Sequence, residues 1–444
     1  MVKMAIKTAV VRIRDESGIT MPLIIGVIAV AFILAAGLSM TVSQQQKAVA
    51  RDQAAVKALH VAEAGANDYL WHLNEDHEYY LKSVHPAQGD GKWVSKNGGR
   101  YHLDVIPPTG DEPVVTVKAT ARFKNPLGDE VERAVIARYR KKSFVNYIYM
   151  TNHERTPNNQ RIYWITGDVV NGPLMTNEDL FISGDPIFND SVTIGGRLVV
   201  ERGNPVFKKG YTENAKTLDF PATNDKLKLE AQARGYYYYG QTTITLRSDG
   251  YLQISNSDTS GRTTGPVGIV PIPPNGVIYI DGNSYRKWTP SNGDVFISGT
   301  LKGKLTVGAA DMIYITGDIQ YSDDAEDMLG LVANDSILIN HYDSSGRDVA
   351  PYNITIKGAL FALNNSFGFE RYSEGSPKGT ISFKGSIVQN YRGPVGTFSS
   401  RTGEKLTGYS KNYSYDQRML YKSPPHFIEP LNAGFELAGW SEVN

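Results

Sequence analysis

The stretch that decides the architecture is Ile19–Val42, ITMPLIIGVIAVAFILAAGLSMTV, set within an uncharged run from Ser17 to Gln46. At ~1.5 Å rise per residue, its first ~20 residues cross a ~30 Å hydrocarbon core, which predicts a transmembrane helix. Residues 1–18 carry Lys3, Lys7, Arg12 and Arg14 and end in Glu16-Ser17-Gly18. Basic residues stay on the cytoplasmic side, so everything after Gln46 is expected outside, with the cytoplasmic membrane crossed once. A secretory signal peptide would have a shorter apolar region, roughly 7–15 residues, followed by a small-residue cleavage site. Here the helical pattern runs on through Gln44-Gln45-Gln46. A plain signal anchor remains as the rival reading.

Beyond the apolar run, Val56, Leu59, Ala62, Ala66, Leu70 and Leu73 recur at steps of three and four, one face of a helix to about residue 76. Arg51, Lys57, Glu63 and Asp68 lie mainly off that stripe. Leu23, Val56, Leu59, Ala62, Glu63 and Gly65 are the positions expected to pack against partner helices. Glu63 has two readings, a solvated helix residue or the partner of Lys47, Lys57 or another subunit.

Composition narrows the rest. A chain of 444 residues accommodates two or three domains. Its 43 Gly, and 26 Tyr against 15 Phe, favour β structure with many tight turns. The formal net charge of zero gives no reason to expect a nucleic-acid partner. There is no Cys, which excludes disulfides, thiolate metal sites and cysteine nucleophiles.

Residues 90–142 read as an antiparallel meander. Val115, Val117, Ala119, Ala121 and Phe123 alternate with Thr116, Lys118, Thr120 and Arg122, a half-buried strand. Asn125-Pro126-Leu127-Gly128 is turn chemistry, and Val131–Tyr139 is the return. The basic cluster Arg138, Arg140, Lys141 and Lys142 reads as a solvated strand end.

From 143 to 440 the sequence echoes itself. Ile165-Thr166-Gly167-Asp168 returns as Ile315-Thr316-Gly317-Asp318, and Phe181-Ile182-Ser183-Gly184 as Phe296-Ile297-Ser298-Gly299. Between Ile297 and Phe383 short strands recur at roughly 18–27 residues, the range of solenoid coils. A Gly after each strand lets the backbone turn a corner. The fold expected is therefore mainly β with one long N-terminal helix: a small antiparallel sheet, then a parallel β-helix or β-solenoid-like body. An antiparallel sandwich is the structural rival. Residues 201–275 break the pattern with a short helix and a hairpin around Ser248-Asp249-Gly250, and read as an insertion. Its aromatic run Tyr236–Tyr239 suits sugar stacking, an interface, or plain core packing.

Catalytic constellations are sparse. Asp168, Asp185, Asp281, Asp294 and Asp318 would serve a β-helix hydrolase or lyase if they converged on one face. Each lies in or near a Gly-containing turn, where Asp is favoured for local backbone hydrogen bonds. Asp323-Asp324-Ala325-Glu326-Asp327 offers hard oxygen ligands for Ca²⁺ but lacks the Gly and spacing of an EF-hand loop. His72 and His77 are not on one helical face, and Gly195-Gly196 is not followed by a phosphate-cradling helix. No catalytic residue, cofactor or metal is expected.

Two resemblances extend this reading. The junction Gly18-Ile19-Thr20-Met21 resembles the processing site of type IV prepilins, and Ala62-Glu63-Ala64-Gly65 resembles the AEAG signature of PilX-type minor pilins. That resemblance implies cleavage after Gly18 and N-methylation of Ile19 by a prepilin peptidase. The Glu usual at the fifth mature position is replaced by Leu23, which fits a minor or tip component better than a repeating subunit. The body resembles the DUF4900 type of bacterial domain through Gly172–Asn177, Ile182–Phe188, Leu329–Ala333, Gly385–Val388, Tyr413–Arg418 and Pro424–Phe427. Together they imply a pilin-like minor component of a type IV pilus or related filament, with other pilins or pilus assembly proteins as partners. Its role would be assembly or adhesion, with a surface polysaccharide as a possible ligand. The alternatives are a membrane-anchored β-helix enzyme acting on envelope polysaccharide and a cell-envelope structural protein without a filament.

Overall fold

The computed structural model describes residues 20–108, 114–284, 286–399 and 404–443. The chain is mainly β, with one long N-terminal helix and several sheets. It divides into two compact units.

The first unit is built on helix α1 (Thr20–Glu75), unbroken over 56 residues. Its sheet has four consecutive strands, β1 (Val94–Lys96), β2 (Gly99–Ile106), β3 (Val114–Lys124) and β4 (Glu130–Lys141). A fifth strand, Phe435–Val443 from the far end of the chain, lies beside β4. The β1–β2 and β2–β3 pairings are antiparallel, as the meander required, with Tyr101 opposite Ala121 and Leu103 opposite Ala119. Small side chains bring helix and sheet together. Ala54, Ala58, Val61, Ala62, Ala66, Tyr69 and Leu73 are buried on the helix, and Val115, Val117, Ala119 and Ala121 on β3. Gly65 is required by that approach, since a Cβ there would stand 2.5 Å from the Tyr101 ring.

The bulk of the second unit is Tyr139–Ala438, and it is dominated by parallel pairing. Ten strands share one ladder, and its central register reads Tyr236, Ile278, Val307, Leu331, Leu360, Ile387, Tyr149, Leu174, Val192, Tyr211. A second ladder aligns Ile244, Ile297, Ile315, Ile339 and Phe369. A third aligns Gly299, Ile319, Ile356, Phe383 and Tyr413. Two three-stranded parallel sheets accompany them, Val170–Phe188–Phe207 and Trp164–Ile182–Val200. Among the described residues of this unit, antiparallel strand pairing occurs in the hairpins of 242–271 and 396–415, with isolated antiparallel bridges at Arg155–Arg161 and Tyr342–Asp348. Most of the β-branched and aromatic members of these rows stack into one continuous buried cluster, while Tyr211 and Val200 at the row ends are exposed. Long strands bend at stacked glycines: Gly358 pairs Gly385, and a Cβ on Gly385 would sit 1.9 Å from the Gly358 carbonyl oxygen.

The order of stacking is not the order of the chain. Strand Tyr149–His153, first of this unit, lies between Leu174–Thr176 and the second half of Pro377–Tyr391. Residues 149–212 therefore extend one side of the ladder, and residues 236–391 build the other. Of the stretch 201–275, Val206–Phe207 and Tyr211–Thr212 end their rows, while Tyr236–Tyr239 and Thr242–Leu246 pair parallel with Val277–Asp281 and Val295–Leu301.

Two devices close the seam between remote segments. An amide row runs across it: Asn364 donates to the Asn334 carbonyl, Asn390 to that of Asn364, Asn152 to Asn390 Oδ1 at 2.9 Å, and Asn177 to Asn152 Oδ1 at 2.9 Å. Beside it, Arg392 and Glu154 form an ion pair at 3.1 Å, 2% and 0% exposed. The guanidinium lies 3.8 Å from the centre of the Trp164 ring, and Glu154 also accepts from Thr151 at 2.5 Å.

Candidate assembly surface

The two halves of α1 have opposite surroundings. Between Met21 and Val42 every side chain is exposed, Leu23 at 66% and Phe32 at 73% among them. The helix is long and apolar enough to cross a membrane. Exposing so contiguous an apolar surface to water is unfavourable at ~25 cal/mol per Å², so this half needs lipid or other protein around it. From Ala54 onward one face is covered by the chain's own sheet.

The predicted packing positions divide accordingly. Leu23 and Val56 are exposed, and Leu59 and Glu63 are half-buried. Ala62 and Gly65 are buried against the sheet of their own chain, Ala62 with no exposure. The buried stripe is rotated toward Ala58, Val61 and Gly65 because small residues let a helix sit close to a strand, which leaves the larger Val56 outside. The expected processing site, Gly18 and Ile19, lies outside the described residues.

Asp68, three residues past the AEAG motif, ties helix to sheet. It accepts from Lys96 Nζ at 2.8 Å and from Tyr101 Oη at 2.8 Å, and lies 3.3 Å from His85 Nε2. Burial alone would raise its pKa, but the Lys96 and Tyr101 hydrogen bonds outweigh that and hold it down to about 2. Among the described residues, Asp68, His72 and His85 are the group whose ligand atoms lie close enough to hold a metal. The hydrogen bonds argue against one. Ala87 N–H donates to His85 Nδ1 at 3.1 Å, which puts the ring proton on Nε2, facing Asp68. Burial lowers the His85 pKa, consistent with a neutral ring. No lone pair is left on Nε2 for an ion, and Lys96 already supplies the cation.

The five turn aspartates do not converge on a cleft. Asp168 accepts from Ile165 N–H at 3.1 Å, Asp185 from Asn204 N–H at 2.7 Å, and Asp318 from Thr355 N–H at 2.8 Å. Asp281 accepts from Tyr237 at 2.6 Å and pairs with Lys228 at 2.7 Å. Asp294 is 1% exposed, and burial raises its pKa. Its neighbour Asp311 is pushed up to about 6, by burial first and the Asp294 charge second. Both are shut away from solvent, where a substrate cannot reach them. In the acidic loop, Asp327 accepts from Gly303 and Asp323 backbone N–H groups, and Asp324 pairs with Lys357. A cavity of about 490 Å³ lies beside Asn152, His153, Asn177, Glu178 and Asp219. The amides of Asn152 and Asn177 are engaged in the asparagine row and with Leu218.

No curated protein matches the chain. Among solved structures it is similar to the crystal structure of the competence-associated pilin ComZ from Thermus thermophilus. That likeness has 12% identity, covers 88% of this chain and 98% of that one, and has a TM-score of 0.30. A family model also matches, over a stretch that takes in Gly172–Asn177 and Ile182–Phe188 and ends before the later segments likened to it above. Residues 116–196 carry the match, and the family is described as a domain of unknown function, DUF4900.

Proposed function

We propose that the protein is a pilin-like minor component of a type IV pilus or related filament. Its apolar half-helix resides in the cytoplasmic membrane and then packs among sister helices, while the body stands outside. The observation that carries this reading is the division of α1: an apolar half left exposed by the described residues, continuous with a half that seats on an antiparallel sheet. Leu23 and Val56, with Leu59 and Glu63 at the margin, are the positions left for partner helices. Gly18 and Ile19 are the proposed site of leader cleavage and N-methylation by a prepilin peptidase.

The body is proposed to be a β-solenoid displayed for scaffolding or adhesion, with a surface polysaccharide the candidate ligand. Parallel ladders in three rows, stacked Gly corners and the asparagine row support that geometry. The turn aspartates, occupied with backbone and lysine partners, favour a structural role over the enzyme alternative. Mass spectrometry of protein isolated from cells tests the central claim. A mature N-terminus at Ile19, with other pilins co-isolated, is expected; an intact leader and a solitary chain would reduce the protein to a membrane-anchored envelope component.

A further inference from the structure

Three segments of the second unit bring an amine, an amide and a carboxylate into contact. Lys287 lies in the turn before strand Val295–Leu301. Its neighbour Trp288 has φ 71°, a region that bulky side chains rarely adopt. The Trp288 ring stacks on Phe296 at 4.6 Å, and Phe296 stacks on Tyr314 at 5.1 Å. Lys287 runs alongside this aromatic column, its Nζ 4.3 Å from the Tyr314 ring centre and its side chain 14% exposed.

Asn340 and Glu370 directly follow Ile339 and Phe369, which are paired in the second ladder, so the two side chains are presented side by side. Lys287 Nζ is 2.5 Å from Asn340 Oδ1, 2.7 Å from Glu370 Oε2 and 3.1 Å from the Tyr342 carbonyl oxygen. Asn340 is 5% exposed. A buried ion pair needs only Lys287 and Glu370. The amide oxygen is an additional partner of Nζ, which sets the amine one bond away from the amide carbon while the Glu370 carboxylate contacts the same amine.

We propose that Lys287 and Asn340 become joined by an intramolecular isopeptide bond, with Glu370 carrying the protons. Glu370 takes a proton from the Lys287 ammonium and leaves a neutral amine. Nζ attacks Cγ of Asn340, and the Nζ–Cγ bond forms. Glu370 delivers its proton to Nδ2, the Cγ–Nδ2 bond breaks, and the nitrogen departs as ammonia while Nζ gives up its second proton to Glu370. No oxidant or cofactor is required. Burial lowers the Lys287 pKa, against the opposing pull of Glu370, and so favours the nucleophilic form. In a chain without Cys, this bond would staple the turn at 287 to the second ladder.

The test is peptide mapping by tandem mass spectrometry on the purified full chain. The wild type should yield one linked pair of peptides carrying Lys287 and Asn340, lighter than their sum by one ammonia. Lys287→Arg and Glu370→Gln should yield the two peptides separately and at full mass. Separate, unmodified peptides from the wild type would overturn the proposal, and so would ammonia loss at Asn340 without a link to Lys287. A linked pair surviving in Glu370→Gln would remove Glu370 as the proton carrier.

Discussion

Replacing Arg392 with Met tests the seam at which the chain closes on itself. Arg392 and Glu154 are 238 residues apart, yet both are buried and 3.1 Å from each other. The substitution keeps most of the aliphatic volume and removes the charge, which leaves Glu154 as a buried carboxylate with Thr151 its remaining side-chain donor. Breaking one side of such a pair costs about 3–5 kcal/mol, and loss of the Trp164 contact adds up to about 2. For a unit of this size that corresponds to a melting shift on the order of 10 °C. Because the damage comes from the orphaned charge, Glu154→Gln added to Arg392→Met should restore most of the loss. The assay is thermal unfolding of the detergent-solubilised chain across the double-mutant cycle, with amide hydrogen exchange to locate the change. The single variant should lose protection first in Tyr149–His153. A shift under about 1 °C for Arg392→Met, or strictly additive singles, would refute the reasoning that this pair seals the seam.

Other perturbations probe different parts. Gly385→Ala should cost about 2–5 kcal/mol, because the new Cβ meets the Gly358 carbonyl at a backbone φ of 152°; a wild-type melting curve would contradict the corner geometry. Ala62→Leu should destabilise the first unit by about 1–3 kcal/mol, whereas Val56→Ala should change stability by under about 0.5 and show itself in filament incorporation instead. The reverse result would mean that the buried stripe is the one facing partners. Glu429 supplies a pH dependence. Burial pushes its carboxyl up to about 7, with Lys141 and a Ser143 hydrogen bond opposing, and its Oε2 has no partner among the described residues. A folded pKa above the unfolded value of about 4.3 means the folded chain holds the proton more tightly. Its contribution is complete below about pH 4 and is lost as pH rises through about 7. Glu429→Gln should therefore flatten the fall in melting temperature between about pH 5 and 8, and an unchanged slope would exclude this group as its source.

Much of this was legible in the residues. The uncharged run and its helical continuation predicted α1, and the alternation of 115–123 predicted β3. The turn reading of the aspartates agrees with their backbone partners. The face of α1 that the sheet buries is rotated from the apolar stripe, because apolar periodicity weighs size where close approach to a strand rewards smallness. The final strand joins a sheet more than 290 residues upstream in sequence, and nothing local encodes such a partner. Stacking order is hidden for the same reason: Ile387 beside Tyr149 is a tertiary fact. The rows do have a local signal. Met150-Thr151-Asn152 and Met175-Thr176-Asn177 repeat, and Val332-Ala333-Asn334, Leu363-Asn364 and Gln389-Asn390 end neighbouring strands the same way. Side-chain amides at one corner can pair from turn to turn, so recurring Asn after an apolar strand marks the ladder. The Lys287 cluster has no such signature, since its members come from three separate segments.

The placement of Tyr149–His153 within the ladder has a temporal cost. This strand emerges from the ribosome well before Ile387, the residue that must cover its other edge. At roughly 5–20 residues per second, the interval is on the order of 10–50 s. For that time the earliest strands have a bare, hydrogen-bond-hungry margin and an arginine still to come for Glu154. Any factor that shields them has to hold on until nearly the whole polypeptide has been made, and a nascent chain halted near residue 300 should be far more prone to aggregate than the finished one.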